Sequence, residues 1–276
     1  MQRRKTGWWL LCIGLIVLCL FGIREWKLKP DGRLHMHFLA VGQGDSALIM
    51  LPRGQTILVD GGPDWTTLEA LGKYLPFFDR RIDLLVLSHA NRDHLTSFPE
   101  ILRRYRVGGI LLPRTDVTLS PDSEILTLAR ASNVPVITGA AGDILRLPDG
   151  AVFSVLWPPA HVPVSFVRDA NNTALVLKLT YKEHAALFAG DISATVENIL
   201  VRARADLAAT ILKVPHHGSR FSSSTGFLLA IRPSLAVIST GPNPYGHPHP
   251  SILRRLQDLG IRFERTDEDG PVDVVW

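Results

Sequence analysis

The chain has 276 residues, with 30 Lys or Arg, 26 Asp or Glu and two cysteines. Six of the basic residues and one of the acidic residues fall within positions 1–29, so the remainder carries 24 basic and 25 acidic side chains. This near-neutral balance argues against a body that binds nucleic acid through net charge alone. Because both cysteines, Cys12 and Cys19, lie in one apolar run, the body has neither a disulfide nor a thiolate metal ligand.

Residues 7–23, GWWLLCIGLIVLCLFGI, contain no charged side chain, and basic residues flank them on both sides. As a helix they would extend about 25 Å, which reaches the length of short membrane-spanning helices once the flanking Trp and Lys residues are counted. A cleaved signal peptide is the alternative, but no A-x-A-like cleavage site follows the run. The pattern therefore predicts that residues 1–29 are an uncleaved signal anchor, a single-pass transmembrane helix. The compact RRK cluster at 3–5 favours a cytoplasmic N-terminus and an extracytoplasmic body.

After residue 33 the chain changes to short apolar runs separated by Gly, Pro and Asp. These runs predict strands over 34–41, 46–52, 55–62, 83–88, 109–112, 134–138, 151–157, 173–181, 185–189, 210–214, 235–240, 261–265 and 272–276. Helical spacing predicts helices over 66–75, 94–106, 122–132, 193–204, 222–231 and 250–259. Since two β-rich halves each carry helices, residues 34–276 are predicted to form an α/β domain, a layered sandwich with helices outside two sheets.

Polar clusters follow four of the predicted strands, which is where α/β enzymes usually place catalytic groups. Together with a fifth cluster, YGHPHP, they contain Asp60, His89, Asp93, His94, Asp191, His216, His217, His247 and His249. A single Asp after a strand is more often a helix cap, and a single His is usually solvated. Six of the ten histidines, however, fall in three of these clusters. With the aspartates they offer the imidazole and carboxylate ligands that Zn²⁺ and Mn²⁺ prefer.

Several motifs give this pattern a specific resemblance. They are FLAVGQGDSALI (38–49), ILVDGGP (57–63), NNTALVLKL (171–179), LFAGDI (187–192), LKVPHHGS (212–219), YGHPHP (245–250) and RTDEDG (265–270). In these motifs the chain resembles the soluble hydrolase domain of ComEC-type DNA-uptake proteins, within the metallo-β-lactamase fold family. The resemblance runs from about residue 34 to the end. It implies a four-layer αββα sandwich whose metal ligands lie on loops at one edge of the two sheets.

The resemblance also implies a set of metal ligands. Asp93, His94 and His216 would hold one metal, and Asp191 would reach towards a second position, to which His89 would belong. In this family the metal lowers the pKa of a bound water and polarises the scissile ester. Asp93 is placed by the resemblance to act on that water.

Further residues receive supporting roles from the resemblance. Asp60 would accept hydrogen bonds that orient the ligands. His247 would contact the phosphate or protonate the leaving group, and Ser219 would help to position it. His217 is expected to point away from the ligands if the backbone is extended there. The loop VGQGDS is predicted to be a β-turn, because it lies between two strands rather than before a helix.

The chain departs from its relatives at the second metal position. Asn91 stands where relatives carry a charged or imidazole ligand. In relatives an apolar residue and two glycines follow the second histidine of the motif, whereas here His94 is followed by LTSF. Asn171 and Asn172 occupy a loop in which broader family members have a histidine. Asn is a neutral, weak oxygen ligand. We therefore expect one strong metal site and a weak second one, filled by Mn²⁺ or Zn²⁺.

The sequence thus predicts a membrane-anchored, metal-dependent phosphodiesterase or nuclease that uses metal-activated water, with single-stranded DNA as a candidate substrate. A role in DNA uptake would require a partner protein that forms the channel, because this sequence does not contain a multi-span membrane channel. Two alternatives stay open: hydrolysis of a small ester or lactone, and an eroded domain that binds a metal or a partner without catalysis. Hydrolysis of β-lactams is not expected, because fold does not dictate substrate.

Overall fold

The structure is a computed structural model that describes residues 2–115, 119–120, 122–162 and 169–276, with side chains from residue 8 onwards except at residue 10. Its strands, in chain order, are β1 (His35–Phe38), β2 (Ala47–Met50), β3 (Thr56–Val59), β4 (Arg81–Ile82), β5 (Leu84–Val86), β6 (Arg106–Val107), β7 (Ile110–Pro113), β8 (Val136–Gly139), β9 (Ile144–Arg146), β10 (Val152–Trp157), β11 (Val176–Tyr181), β12 (His184–Phe188), β13 (Ile211–Lys213), β14 (Leu235–Ile238), β15 (Arg262–Arg265) and β16 (Val272–Val275). Its α-helices are α1 (Gln2–Lys27), α2 (Thr66–Tyr74), α3 (Arg92–Leu95), α4 (Phe98–Arg104), α5 (Glu124–Ala131), α6 (Ala194–Arg202), α7 (Thr225–Ile231) and α8 (Pro250–Asp258).

Two large sheets organise the fold, each with seven strands among the described residues. The first has the order β16-β1-β2-β3-β5-β7-β8, and the second has the order β15-β14-β13-β12-β11-β10-β9. Each sheet is antiparallel over one half and parallel over the other, the parallel pairs including β3 with β5 and β12 with β13. Parallel strands present their carboxyl ends at the same edge, so the loops that follow these four strands can meet there.

Three apolar layers hold the sandwich together. Between the sheets, the ring of Phe38 stacks on that of Phe188 with centroids 5.9 Å apart, in a buried cluster drawn from both sheets. A second cluster, which includes Phe98, packs α2, α4 and α5 on the first sheet. A third, which includes Phe227, packs α6, α7 and α8 on the second sheet. Burying each such aromatic ring stabilises the fold by about 2–3 kcal/mol, and the predicted α/β sandwich is confirmed.

The N-terminal run does form a helix, α1, which covers residues 2–27. Its end packs on the loop after α2, where the ring of Phe21 lies 5.9 Å from that of Phe77 and the Glu25 carboxylate accepts a hydrogen bond from the Phe77 amide at 2.9 Å. Of the helices that the described residues form, none has both the length and the apolar character needed to cross a bilayer. The transmembrane prediction for residues 7–23 is therefore unsupported.

The helix predicted over 94–106 is divided in two. α3 ends at Leu95 and α4 begins at Phe98, because the intervening Ser97 hydroxyl donates a hydrogen bond to the Gly61 carbonyl at 2.6 Å. Gly61 in turn donates from its amide to the His94 carbonyl at 2.6 Å. A Cβ at Gly61 would lie 2.6 Å from the Phe98 ring, so this close approach of loop and helix requires glycine. Ser97 thus fixes the start of α4 against the loop after β3.

Candidate metal centre

The polar clusters converge at the edge where the parallel strands of both sheets end. Asp60 follows β3, His89 follows β5, Asp191 follows β12, and His216 and His217 follow β13. Apart from His216, these side chains are at most 2% exposed. A buried edge of the sandwich therefore collects imidazole and carboxylate groups from well-separated parts of the sequence.

Asp191 lies at the middle of the group. Its Oδ2 is 3.4 Å from Nε2 of both His94 and His217. The same oxygen is 4.0 Å from Nε2 of His89 and of His216. One carboxylate oxygen thus faces four imidazoles.

Asp93 completes a compact set with its Oδ2 3.4 Å from Nε2 of His217 and 3.9 Å from Nε2 of His94. Ligand atoms of Asp93, His94, Asp191 and His217 all lie within 4.8 Å of one another. We call these four residues the inner cluster. The Asp93 side chain is 32% exposed, so it is the carboxylate of the set that solvent reaches.

The inner cluster fits a divalent metal ion. Nε2 of His89, His94 and His217 and Oδ1 of Asp191 are buried and have no hydrogen-bond partner within the described residues. Leaving one such atom unpaired costs about 1–3 kcal/mol, and these four belong to side chains that face one another. Mixed imidazole and carboxylate donors suit Zn²⁺ or Mn²⁺. A cation held by the inner cluster would give Nε2 of His94 and of His217 a partner.

The electrostatics of the cluster favour positive charge. Burial by itself raises the pKa of Asp191, but His217 and His94 hold that pKa well below its usual value. Burial lowers the pKa of His94 and of His217, yet the facing carboxylates raise both pKa values well above the ordinary range. The carboxylates offset the burial of His89 less fully. Burial together with the neighbouring His94 therefore lowers the pKa of His89 to about 3. The carboxylates thus attract either protons or a metal ion.

Asp60 orients His94 from behind. Its Oδ2 lies 2.9 Å from Nδ1 of His94, and its Oδ1 accepts a hydrogen bond from the Ser88 amide at 2.7 Å. This pairing directs Nε2 of His94 into the inner cluster, as a carboxylate behind a metal-binding imidazole does. Burial raises the pKa of Asp60, against the opposing effect of His94. Asp60 adopts a φ of 60°, an uncommon backbone conformation for a residue other than glycine.

Asp45 and Lys213 lie behind His217, and the sequence pattern did not identify either of them as part of the site. Nδ1 of His217 donates to the Ser239 carbonyl at 2.9 Å and lies 3.3 Å from Oδ1 of Asp45. Nζ of Lys213 lies 2.6 Å from Oδ2 of Asp45, and both side chains are buried. Lys213 stands within an apolar strand, and a lysine there must have a buried partner. A lysine in an apolar strand could therefore have indicated a buried acidic partner, which the structure shows to be Asp45.

The loop VGQGDS is therefore more than a turn. It carries Asp45 into the centre, and its backbone packs on the ligand loop, since the Asp45 amide donates to the Asp93 carbonyl at 3.2 Å. A Cβ at Gly44 would lie 2.4 Å from that carbonyl oxygen. Glycine is required for this approach.

The expected orientation of His217 is wrong. The backbone is not extended, because His216 and His217 both adopt left-handed conformations, with φ of 52° and 53°. This geometry turns His217 inward, where it is 1% exposed, and leaves the His216 side chain 28% exposed at the rim. The structure thus brings His217 into the inner cluster and places His216 further out.

The asparagines lie beside the centre and bond to their neighbours. Nδ2 of Asn91 donates to Oδ1 of Asn171 at 2.7 Å. Oδ1 of Asn172 accepts from the Ser193 hydroxyl at 2.6 Å, and the Asn172 carbonyl accepts from the Trp157 indole at 2.7 Å. These bonds occupy the Oδ1 atoms of Asn171 and Asn172, which could otherwise act as weak metal ligands.

An open cleft of about 400 Å³ adjoins the centre, and we call it the outer cleft. It is lined by His216, Ser219, Arg220, Phe221, Tyr245, His247 and His249. The ring of His247 lies 5.5 Å from that of His216, and burial together with His216 lowers the pKa of His247 to about 4. The Ser219 amide donates to the His216 carbonyl at 2.8 Å, which braces the loop. His216, whose Nε2 lies 4.0 Å from Oδ2 of Asp191, connects the outer cleft to the inner cluster.

Comparison with known proteins agrees with this architecture. The chain is 31% identical over 263 residues to ComE operon protein 3 of Bacillus subtilis, covering 89% of this chain and 33% of that protein. It is 29% identical over 262 residues to competence protein ComA of Neisseria gonorrhoeae, covering 92% and 34%. The chain thus spans about a third of the length of the curated relatives it matches.

The fold is also that of zinc-bound PqqB from Methylobacterium extorquens, with a TM-score of 0.57 and 12% identity, covering 87% of this chain and 100% of that one. The sequence model that describes the metallo-β-lactamase superfamily matches residues 39–241. This range contains the whole inner cluster and Asp60. The chain therefore belongs to the metallo-β-lactamase superfamily, whose members are generally metal-dependent hydrolases.

Proposed function

We propose that this protein is a metal-dependent hydrolase of phosphodiesters whose substrate is a nucleic acid strand. The observation that carries the proposal is the set of three buried, unpaired imidazole nitrogens, those of His89, His94 and His217, around Asp191, beside an open cleft that His216 lines. The similarity to a protein named for competence supports a nucleic acid as the substrate. Because the chain matches a third of that relative's length, the substrate is part of the proposal.

The inner cluster would hold the metal, and its occupant would supply a more acidic water molecule and charge withdrawal from the phosphate oxygens. Nδ1 of His94 is held by Asp60, and Nδ1 of His217 is held by the Ser239 carbonyl. Each ring therefore directs its Nε2 towards the metal position. The Asp93 side chain is 32% exposed, and its carboxylate can accept the proton of the attacking water. His247 stands across the cleft and can donate a hydrogen bond to a phosphate oxygen.

The two metal positions would be unequal. His89 offers an unpaired Nε2, but Asn91 is only a neutral oxygen ligand, and Oδ1 of Asn171 already accepts a hydrogen bond from it. One strong site is therefore proposed at the inner cluster, with a weak second one near His89. We propose Mn²⁺ or Zn²⁺ as the occupant, since both accept mixed nitrogen and oxygen donors.

The test is an assay of the purified full chain with Mn²⁺ or Zn²⁺ on single-stranded DNA, duplex DNA and bis-p-nitrophenyl phosphate. We expect cleavage that disappears with a chelator and falls at least ~100-fold in Asp93→Ala. Cleavage of small esters or lactones alone would replace this proposal with a different substrate class. Metal binding without turnover of any ester would indicate a non-catalytic domain.

We further propose that α1 tethers the chain to a membrane, with the hydrolase domain on the extracytoplasmic side and a separate channel protein moving the DNA strand. The proposal is supported by the exposed apolar side chains along α1, including Trp8, Trp9 and Leu18, and by its basic flanks. Carbonate extraction and protease protection of membrane vesicles test it. Release of the chain by carbonate, or its protection on the cytoplasmic side, would contradict it.

A further inference from the structure

Two exposed aromatic rings stand at the outer cleft, and the hydrolytic chemistry has no use for them. Phe221 is 64% exposed and Tyr245 is 69% exposed. The Arg220 guanidinium lies over the Phe221 ring, 4.6 Å from its centroid, and the Tyr245 ring lies 5.7 Å from that of His247. Exposed rings accompanied by a guanidinium are the groups on which unpaired nucleobases stack.

The loops that carry these rings are held in place. The buried carboxylate of Glu197 accepts hydrogen bonds from the Ser223 amide and the amide that follows it, and Nη1 of Arg255 donates to the Ser223 carbonyl at 2.7 Å. On the facing loop, Oδ1 of Asn243 accepts from the amides of Tyr245 and of His247, each at 3.0 Å. Rings on fixed loops lose little conformational entropy when a ligand binds.

The charge of the body also favours contacts to bases. Residues 30–276 carry 24 basic and 25 acidic side chains, so net charge does not attract a polyanion and adds little to affinity. A nucleic acid that binds here needs another source of affinity. Base stacking supplies it for a single strand, whereas the bases of a duplex are already stacked on one another.

We propose that Phe221 and Tyr245 form a stacking platform for the unpaired bases beside the scissile phosphate, so that the site takes single-stranded nucleic acid in preference to duplex. The inference rests on the proposed phosphodiester function and specifies its substrate. Arg220 stiffens the Phe221 ring and adds one phosphate contact. Affinity should then depend on the bases and only weakly on salt.

The test measures binding to the full chain of a labelled, cleavage-resistant phosphorothioate strand of about 12 nucleotides, a length that matches single-strand sites. The comparison ligands are an abasic strand of the same length, the duplex and the matching RNA. The variants are Phe221→Ala, Tyr245→Ala and the conservative Phe221→Trp. Phe78→Ala is the matched control, because Phe78 is an 81% exposed aromatic residue that does not line the cleft.

Phe221→Ala and Tyr245→Ala are each expected to weaken binding of the base-bearing strand about tenfold. Binding of the abasic strand should stay unchanged, and Phe221→Trp and Phe78→Ala should bind like the parent. A preference for either DNA or RNA identifies the sugar and supports the platform in both cases. Equal binding of the base-bearing and abasic strands by the parent, or parent-like affinity in both alanine variants, would overturn the inference.

The two proposals fail separately, because this readout does not need cleavage. A chain that binds as expected but cleaves no phosphodiester would refute the hydrolase and leave the platform. A chain that cleaves DNA while both alanine variants keep the parent's affinity would refute the platform and leave the hydrolase.

Discussion

The inner cluster and the outer cleft lie side by side on neighbouring loops, yet they are built in opposite ways. His94 and His217 in the inner cluster are at most 1% exposed, and each has one ring nitrogen fixed by a partner and the other unpaired. Phe221 and Tyr245 in the outer cleft are more than half exposed.

This difference separates two tasks. Buried donors held from behind can bind an ion with a defined geometry, and a change of one atom there leaves other buried charges uncompensated. Exposed rings contact ligands of variable sequence, and a change there removes one contact at a time. Substitutions should therefore have large effects in the inner cluster and moderate, ligand-dependent effects in the outer cleft.

Asp191→Asn should have the largest effect. It removes the charge that faces four imidazoles, and we expect metal affinity to fall about 1,000-fold, equivalent to about 4 kcal/mol for one member of a buried charge cluster. Calorimetric metal titration measures the effect. Asp258→Asn, at the exposed end of α8, is the matched control and should bind metal like the parent. Parent-like affinity in Asp191→Asn would place the metal elsewhere.

Lys213→Met should destabilise the fold by about 3 kcal/mol, because it leaves the buried Asp45 carboxylate without its cation. Lys178→Met is the control, since Lys178 pairs at 2.7 Å with Asp206, whose side chain is 77% exposed, and should cost less than about 1 kcal/mol. Chemical denaturation measures both. Equal losses would mean that the buried Lys213–Asp45 pair stabilises the fold no more than the Lys178–Asp206 pair does.

The adjacent histidines provide an internal comparison. His217→Ala should weaken metal binding at least ~100-fold, whereas His216→Ala, at the rim, should weaken it less than about tenfold. Both are measured by metal titration, with circular dichroism to verify folding. A larger loss in His216→Ala would restore the ligand assignment that the resemblance implies.

Asp60→Asn should have a smaller effect than His217→Ala, about a tenfold loss of metal affinity. The amide keeps one acceptor oxygen but cannot serve both the Ser88 amide and His94, so the His94 ring becomes less well oriented. Asp64→Asn is the control, because Asp64 accepts from the Thr66 amide at 2.8 Å in the same loop and has an exposed side chain. A loss shared by both variants would point to the loop rather than to His94.

The sequence was informative where short-range pattern decides the structure. Apolar runs located the main strands, and Asp60, His89 and Asp191 lie at their ends as expected. The left-handed backbone of His216 and His217 could not be predicted, because it depends on how the loop packs. The helix break at Ser97 depends on a hydrogen bond to Gly61, which is distant in sequence. Asp45 was assigned to a turn because its partners, Lys213 and His217, join it through tertiary contacts.

Titration of the full chain with Mn²⁺ and with Zn²⁺ tests the central claim most directly, because every step depends on the inner cluster holding an ion. We expect one tight site that Asp191→Asn weakens about 1,000-fold, and a second site at least about tenfold weaker than the first. Two tight and equivalent sites, no binding of either ion, or tight binding that survives Asp191→Asn would contradict the account.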